Sequence, residues 1–108
     1  MSNVAAVPLT SYPWPADVLA FAAKQKVAQY LEPLLEATRK LFPSAVIKVL
    51  FEHDLEYPDE QFIIFEVHVP KADIPDYLVA NRKWRQETFR VCPPGFHSDF
   101  VFSLEQVM

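Results

Sequence analysis

Three groups of residues in this chain have side chains that could do chemistry. The first is the segment 52–60, which carries five carboxylates in nine residues beside His53. Carboxylate oxygens are the ligands that calcium and magnesium prefer, but a calcium-binding loop needs them at fixed spacings that this segment lacks. We therefore expect a solvated, acidic hairpin loop and predict no metal site.

The second group is Cys92, His97 and Asp99, which are residue types found in cysteine-dependent catalysis. A catalytic thiolate needs an adjacent base and oxyanion donors, and such residues normally meet in space rather than in sequence. Glu66 and His68, two positions apart, supply too few ligands for zinc. We expect a structural cysteine, no catalytic residues, no cofactor and, with one cysteine, no disulfide within the chain.

The third group is the segment 81–90, in which four cationic side chains alternate with two aromatic ones. Charge combined with stacking is typical of proteins that bind single-stranded nucleic acid. The net charge of −4 opposes phosphate binding. Trp84 also falls in an apolar helical stripe, which favours a core position. Nucleic-acid binding through Arg82, Lys83 and Arg90 is therefore an alternative only.

A predicted β-hairpin, residues 45–51 and 62–69, organises the elements that position these groups. Side chains alternate between the two faces of a strand, so parity separates them. The odd positions are all apolar and predict the core face: Ala45, Ile47, Val49, Phe51, Ile63, Phe65, Val67 and Val69. The odd-numbered residues of both strands must face the core, so the numbers of two paired residues must sum to an even number. We predict the register in which they sum to 114, because it also places Lys48 opposite Glu66.

The even positions form the other face of the hairpin, which we call the even sheet face. Its mixture of apolar and charged residues is unusual for a purely solvated face and is typical of an interaction surface. A third strand, 100–104, would extend it. The predicted interface residues are Val46, Leu50, Phe62, Ile64 and Val101 at the centre, with Lys48, Glu66 and His68 at the rim. The face could be covered by the N-terminal arm, a second copy or another protein.

Residues 1–15 form a proline-rich N-terminal arm, in which Tyr12 and Trp14 are expected to dock on the domain. Residues 16–108 are predicted to form a single α+β domain. A helical pattern over 16–41 is interrupted by Pro33, which predicts a kink or two helices meeting near residues 30–33.

A second long helix is predicted over 74–91, with Asp73 as its N-cap. On a helical wheel its apolar side carries Ile74, Tyr77, Leu78, Trp84, Thr88 and Val91. Asn81 and Arg85 also fall on that side, which indicates buried hydrogen bonding or a polar pocket near Asn81, Arg85 and His97.

The element order αα-ββ-α-β predicts a small two-layer sandwich. With a right-handed crossover, the sheet would be three-stranded and mainly antiparallel, in order 2-1-3, with the helices packed on one face. This order resembles half a ferredoxin-like unit and type II KH-like domains. The Gly-x-x-Gly loop by which KH domains hold nucleotide backbone has no counterpart, and the single glycine also excludes phosphate-binding loops.

We therefore predict a non-catalytic interaction or regulatory domain that acts through the even sheet face, alone or as a homodimer. Its partner would be a second copy or another protein. A small-molecule-binding protein or enzyme, with the pocket named above, is the alternative. The chain lacks a basic N-terminal region and a long apolar run, so we expect a cytoplasmic protein without membrane contact.

Overall fold

A computed structural model describes residues 12–73 and 75–107, apart from the side chain of His97. The helices are α1 Ala16–Gln25, α2 Leu31–Leu41 and α3 Tyr77–Val91, and the strands are β1 Val46–His53, β2 Gln61–Pro70 and β3 Phe100–Val107. The predicted α+β class, element order and packing of helices on one side of a three-stranded sheet are confirmed. Within the described residues, no helix is both long enough and apolar enough to cross a bilayer.

The break in the first helical region lies before Pro33 rather than at it. Helix α1 ends at Lys26, which adopts a left-handed conformation (φ 61°) and donates its backbone N–H to carbonyls of the last turn. A short 3₁₀ turn, Ala28–Tyr30, leads into α2. Pro33 is the third residue of α2, where its missing N–H would have no helical acceptor in any case. Of the two predicted alternatives, a kink or two helices, the chain forms two helices, and Pro33 lies in the first turn of the second.

The β1–β2 hairpin has the register expected from parity together with the pairing of Lys48 and Glu66. Val49 pairs with Phe65 and Lys48 with Glu66 in antiparallel strands. On β2 the odd side chains Ile63, Phe65, Val67 and Val69 are all buried. On β1 the odd positions other than Val49 are only half-buried, because β1 lies at an edge of the sheet.

The predicted strand order 2-1-3 needs correction. The order is β1-β2-β3, with β2 central, and β3 pairs with β2 in parallel. The sheet is therefore mixed, with one antiparallel and one parallel pair, rather than mainly antiparallel. The physical reason is that α3 carries the chain from the end of β2 back to a neighbouring strand of the same direction, as in a βαβ unit.

Trp84 lies at the centre of the core between the helices and the sheet. Its ring centroid lies 5.8 Å from that of Phe65 on β2 and 5.5 Å from that of Phe102 on β3. Its indole nitrogen Nε1 donates a hydrogen bond to Thr38 Oγ1 of α2 at 2.9 Å. One side chain therefore joins α3 to α2 and to two strands, which confirms its core position.

Helix α3 begins later than predicted, because Asp76 and not Asp73 is the N-cap. The Asp76 carboxylate accepts from the backbone N–H of Val79 at 3.1 Å, while Asp73 belongs to a preceding 3₁₀ turn. Pro75 disfavours helical geometry in the residue before it, so a helix cannot readily start there. The predicted first residue, Ile74, lies outside the described residues.

The buried stripe of α3 also differs from the predicted one. Ala80, Trp84 and Thr88, spaced by four, are buried, whereas Tyr77 and Leu78 are exposed. The later helix start places Tyr77 and Leu78 in the first turn, where the Tyr77 ring still stacks on Phe102 of β3 with ring centroids 6.0 Å apart, whereas Leu78 is 69% exposed. The apolar character of Leu78 therefore belongs to the surface of the molecule.

The described part of the arm, Tyr12–Pro15, docks on the domain as expected. The Tyr12 hydroxyl accepts from the backbone N–H of Val49 at 2.7 Å, and Trp14 Nε1 donates to Glu32 Oε2 at 2.8 Å. Both rings pack against the hydrophobic core. Tyr12 thereby satisfies a backbone amide of the edge strand β1, which blunts that edge. Residues 1–11 of the arm lie outside the described residues.

Candidate functional site

The even sheet face lies on the side of the sheet opposite to the helices. Leu50 pairs with Ile64 and Ile64 with Val101, so three apolar side chains form one row across all three strands. Phe62 lies two positions before Ile64 on the same face of the central strand. All four are half-buried. We call Leu50, Ile64 and Val101 the apolar row, and Phe62 lies beside it.

Two further rows complete the even sheet face, and both are mainly polar. The first is Lys48–Glu66–Ser103 and the second is Val46–His68–Glu105. The register thus brings all eight predicted interface residues onto one face. Val46 is 62% exposed, but the Lys48 row separates it from the apolar row, so it does not belong to the apolar centre.

Some polar side chains of this face contact one another. His68 Nε2 lies 3.2 Å from Glu66 Oε1, and Ser103 Oγ donates to Glu105 Oε2 at 2.6 Å. Within the described residues, Lys48 has neither a hydrogen bond nor an ion pair. Glu52 adds another carboxylate at the end of β1, so the strands present three carboxylates here against one ammonium group.

Ser103 and Glu105 were missed by the sequence reasoning. The third strand was predicted to stop at residue 104 and to lie beside β1. The signal that could have revealed them is the connection of β2 to β3 through a single helix, which is typical of adjacent parallel strands. The parallel register then follows from matching the apolar faces of the two strands.

The acidic hairpin loop adjoins the apolar row, since it joins the ends of β1 and β2 nearest Phe62. The Asp54 carboxylate accepts from the backbone N–H groups of Glu56 at 2.8 Å and Tyr57 at 3.0 Å, which orders the turn. The remaining carboxylates of the loop are exposed. In the part of the chain that the structure describes, no three metal-ligating side chains gather around one point.

Of the residues of the predicted polar pocket, Arg85 has partners within the fold. Arg85 Nη1 donates to the carbonyl of Phe100 at 3.4 Å, and its guanidinium lies 5.7 Å from the Trp84 ring centroid. Asn81 is half-buried, and the side chain of His97 lies outside the described residues. The hydrogen bond of Arg85 is only partly buried, so the predicted pocket near Asn81, Arg85 and His97 stays a prediction.

A cleft of about 190 Å³ lies elsewhere, between the α2–β1 connection and the start of α3. Its buried lining includes Phe42, Val69 and Ala80, and the exposed Asp73 and Lys83 border it. Neither Asn81 nor Arg85 lines it. Sequence reasoning did not find this cleft, because its lining comes from segments far apart in the chain.

Cys92 is buried at the end of α3 and is poorly suited to nucleophilic chemistry. Burial, and secondly the negative charge of Asp99, raise the pKa of its thiol to about 11. The thiol is therefore protonated at neutral pH, whereas a nucleophile requires the thiolate. This supports the structural role that we expected for Cys92.

The outward side of α3 forms a second candidate surface. Leu78 and Phe89 are exposed there, 69% and 59% respectively, together with Arg82 and Lys83. Trp84 points inward and is fully buried, so it offers no ring for stacking against a base. The combination of charge and stacking that suggested nucleic-acid binding is thereby weakened.

Comparison of the chain with protein-family models, with curated proteins and with solved structures finds no match. What the chain does is therefore inferred from its own surfaces and buried groups. Two surfaces stand out, the even sheet face and the outward side of α3.

Proposed function

We propose that this chain is a non-catalytic interaction domain that binds a protein through the even sheet face. The observation that carries the proposal is the apolar row with Phe62, on the side of the sheet opposite to the helices. Contiguous apolar surface on a small domain is unfavourable in water and is typically retained where a partner covers it. The charged side chains around it resemble the polar rim of an interface.

The location of the arm bears on what covers this surface. The described arm residues Tyr12 and Trp14 pack against the hydrophobic core and the edge of β1. We propose a separate polypeptide as the occupant, either a second copy or another protein. In such an interface Phe62 and Ile64 would be central residues that lose all contact with water.

Two substitutions on opposite faces of β2 test the proposal. Phe65→Glu buries an unpaired carboxylate in the core and should prevent folding or lower the melting temperature strongly. Phe62→Glu places the carboxylate on the half-exposed even sheet face, so the fold should survive while association is lost. Melting curves measure the first effect, and size-exclusion chromatography with light scattering over a range of concentrations measures the second.

Equal destabilisation by both substitutions would contradict the proposal. It would mean that the even sheet face is ordinary core, covered by this chain itself. A matched control is Leu19→Glu, an exposed apolar position on α1, which should change neither folding nor association.

Two competing proposals have less support. A small molecule that binds near Asn81 and Arg85 would compete with the hydrogen bond that Arg85 donates to the carbonyl of Phe100. Binding of nucleic acid along α3 is less well supported because Trp84 is buried and cannot stack on a base. The cytoplasmic location expected from the sequence stays a prediction.

A further inference from the structure

We propose that two copies of this chain pair antiparallel through the outer edge of β3, the edge that does not contact β2, so that their sheets join into one continuous sheet. The contact uses an edge of the sheet rather than its face, so the inference goes beyond the proposed function and does not depend on it. A second copy is the occupant because this edge is complementary to itself in hydrogen bonding, apolar contacts and charge.

The two edge strands of the sheet differ in how they are protected. On β1, the hydroxyl of Tyr12 accepts from the backbone N–H of Val49, and the strand carries Lys48. The strand β3, Phe100–Val107, has no lysine and no proline, and its uninterrupted register along β2 leaves no bulge. Lysine, proline and bulges are the usual means by which proteins prevent an edge strand from pairing with another chain. The edge of β3 is therefore open to pairing, whereas that of β1 is not.

The pairing within the sheet determines which backbone groups of β3 face outward. The N–H of Val49 donates to Tyr12 and therefore points away from β2. Opposed residues of an antiparallel pair either exchange hydrogen bonds or both turn their backbone groups away, so Phe65, opposite Val49, turns its groups toward β3. Phe65 lies beside Phe102 in the parallel pair and bonds to the residues that flank it, so the backbone groups of Phe102 face the outer edge.

Alternate residues of β3 therefore form the outer edge. The N–H and C=O groups of Phe102, Leu104 and Gln106 point outward, and none of these groups has a partner among the described residues. Phe100 also faces outward, and its carbonyl accepts from Arg85 at 3.4 Å. The part of the edge without hydrogen-bond partners is thus centred on Leu104.

A two-fold axis at Leu104 uses all of these groups. Leu104 then pairs with Leu104 of the second copy, and Phe102 pairs with Gln106 of the second copy, each pair exchanging two N–H···O bonds. An axis at Ser103 would instead pair Gln106 with Phe100, whose carbonyl already has a donor. The hydrogen-bonding pattern therefore selects one register.

The side chains of β3 are complementary in the same register. Val101 lies opposite Val107 of the second copy, and Ser103 lies opposite Glu105 of the second copy, so apolar groups meet apolar groups and a hydroxyl meets a carboxylate. On the core face, Leu104 meets its own counterpart. Glu105 is the single charged residue of β3. Because each Glu105 faces a serine, the pairing places no like charges directly opposite each other.

The pairing joins the even sheet faces of the two copies side by side. Opposed residues of paired strands lie on the same face of a sheet, so Val107 of one copy adjoins the apolar row of the other at Val101. Val107 is 44% exposed in the single chain. The dimer therefore presents both even sheet faces on one side and leaves them open to a further partner.

A proline in the outer edge tests the pairing. Gln106→Pro removes an outward N–H, and an edge strand tolerates proline where its nitrogen faces solvent, so the variant should fold. Gln106→Ala is the matched control, because it shortens the same exposed side chain and keeps the N–H. By light scattering, the molar mass of wild type and Gln106→Ala should rise with concentration from 12.5 kDa toward twice that value, while Gln106→Pro should stay at 12.5 kDa.

Two substitutions at Ser103 test the register without a change to the backbone. Ser103→Glu places a carboxylate opposite Glu105 of the second copy and should weaken the dimer, whereas Ser103→Lys places an ammonium group there and should strengthen it. The two dissociation constants should shift in opposite directions by roughly 2- to 30-fold, since the symmetric dimer contains this pair twice. Shifts in the same direction would contradict the register centred on Leu104.

Hydrogen exchange measured by NMR gives a direct readout of the edge. The N–H of Leu104 is bonded only in the dimer, so its exchange with solvent should slow as the protein concentration rises. The N–H of Ser103 points toward β2 and should exchange slowly at every concentration. Melting curves for all variants verify that loss of association does not result from unfolding.

Three outcomes would overturn the inference, and they differ in what they say about the proposed function. A wild-type chain that is monomeric at all concentrations excludes edge pairing and leaves a different protein as the partner of the sheet face. A folded Gln106→Pro variant that associates like wild type places the contact elsewhere. Phe62→Glu removes any association through the even sheet face but leaves the edge of β3 intact, so the edge dimer should persist. A monomeric Phe62→Glu variant would overturn edge pairing and support the proposed function.

Discussion

Thr38 and Thr88 are buried polar residues of the described core, and each hydroxyl has a partner. Thr38 Oγ1 donates to the carbonyl of Leu34 at 2.7 Å and accepts from the indole of Trp84, while Thr88 Oγ1 donates to the carbonyl of Trp84 at 3.0 Å. Buried polar groups are stable only when hydrogen-bonded. The bond from Trp84 to Thr38 therefore helps to specify how α2 and α3 pack, while the other two bonds satisfy the hydroxyls within their own helices.

Replacing Thr38 by valine should destabilise the fold although the shape of the side chain is nearly unchanged. The substitution leaves the Trp84 indole N–H buried without an acceptor, at a cost of about 1–3 kcal/mol in the free energy of unfolding. Urea denaturation measures the loss. In a Trp84→Phe background the same substitution should cost less, and an equal cost in both backgrounds would show that the hydrogen bond contributes nothing.

Cys92 should make stability depend on alkaline pH. Its thiol pKa rises from an ordinary 9.0 to about 11 in the folded chain, because of burial and then the charge of Asp99. The folded state therefore holds the proton more tightly, so this contribution is complete below pH 9 and is lost as the pH rises toward 11.

Cys92→Ser provides the reference for that prediction, because serine does not titrate in this range. The difference in free energy of unfolding between wild type and variant should shrink by roughly 1–3 kcal/mol from pH 8 to pH 11. Denaturant titrations at each pH measure it. A difference that is independent of pH would show that the thiol is not perturbed by folding.

Among the elements, α3 shows how the N-cap of a helix can be assigned a few residues too early from the sequence. Asp73 and Asp76 are both aspartates before an apolar helical pattern, and either could cap a helix. Pro75 decides between them, since it disfavours helical geometry in the residue that precedes it. The cap is Asp76, and the displaced helix start exposes Leu78.

The two aspartates form a matched pair for a capping experiment. Asp76→Ala should lower the free energy of unfolding by about 0.5–2 kcal/mol, because the backbone N–H of Val79 loses its acceptor. Asp73→Ala, at an exposed position, should change it by less than about 0.5 kcal/mol. Thermal denaturation of both variants measures the difference, and a larger effect at Asp73 would contradict the assignment of the cap.

For the whole molecule, the net charge of −4 conceals a separation of charge. The even sheet face and the acidic hairpin loop are negative, while the outward side of α3 carries arginine and lysine without partners among the described residues. Because α3 packs on the core face of the sheet through Trp84, these surfaces lie on opposite sides of the two layers.

The sequence by itself determined the properties that depend on neighbouring positions. The alternation of apolar residues in 45–51 and 62–69 predicted the core face, because a slip of one residue would turn apolar side chains to water. Among the registers that this alternation allows, the pairing of Lys48 with Glu66 favoured the observed one. Pro33 predicted a kink or a pair of helices, of which the pair is found, and the pattern around Trp84 predicted its burial. The eight residues proposed for the interface shared one face for the same reason.

Only the tertiary structure decided which strand is central, where the rim residues Ser103 and Glu105 lie, and which apolar residues of α3 remain outside the core. Each of these depends on which edge of the sheet α3 and β3 reach. That in turn depends on contacts between segments far apart in the chain. Periodicity along a strand or helix encodes which side is apolar. It does not encode which other element covers that side, because that choice is made by the packing of the whole chain.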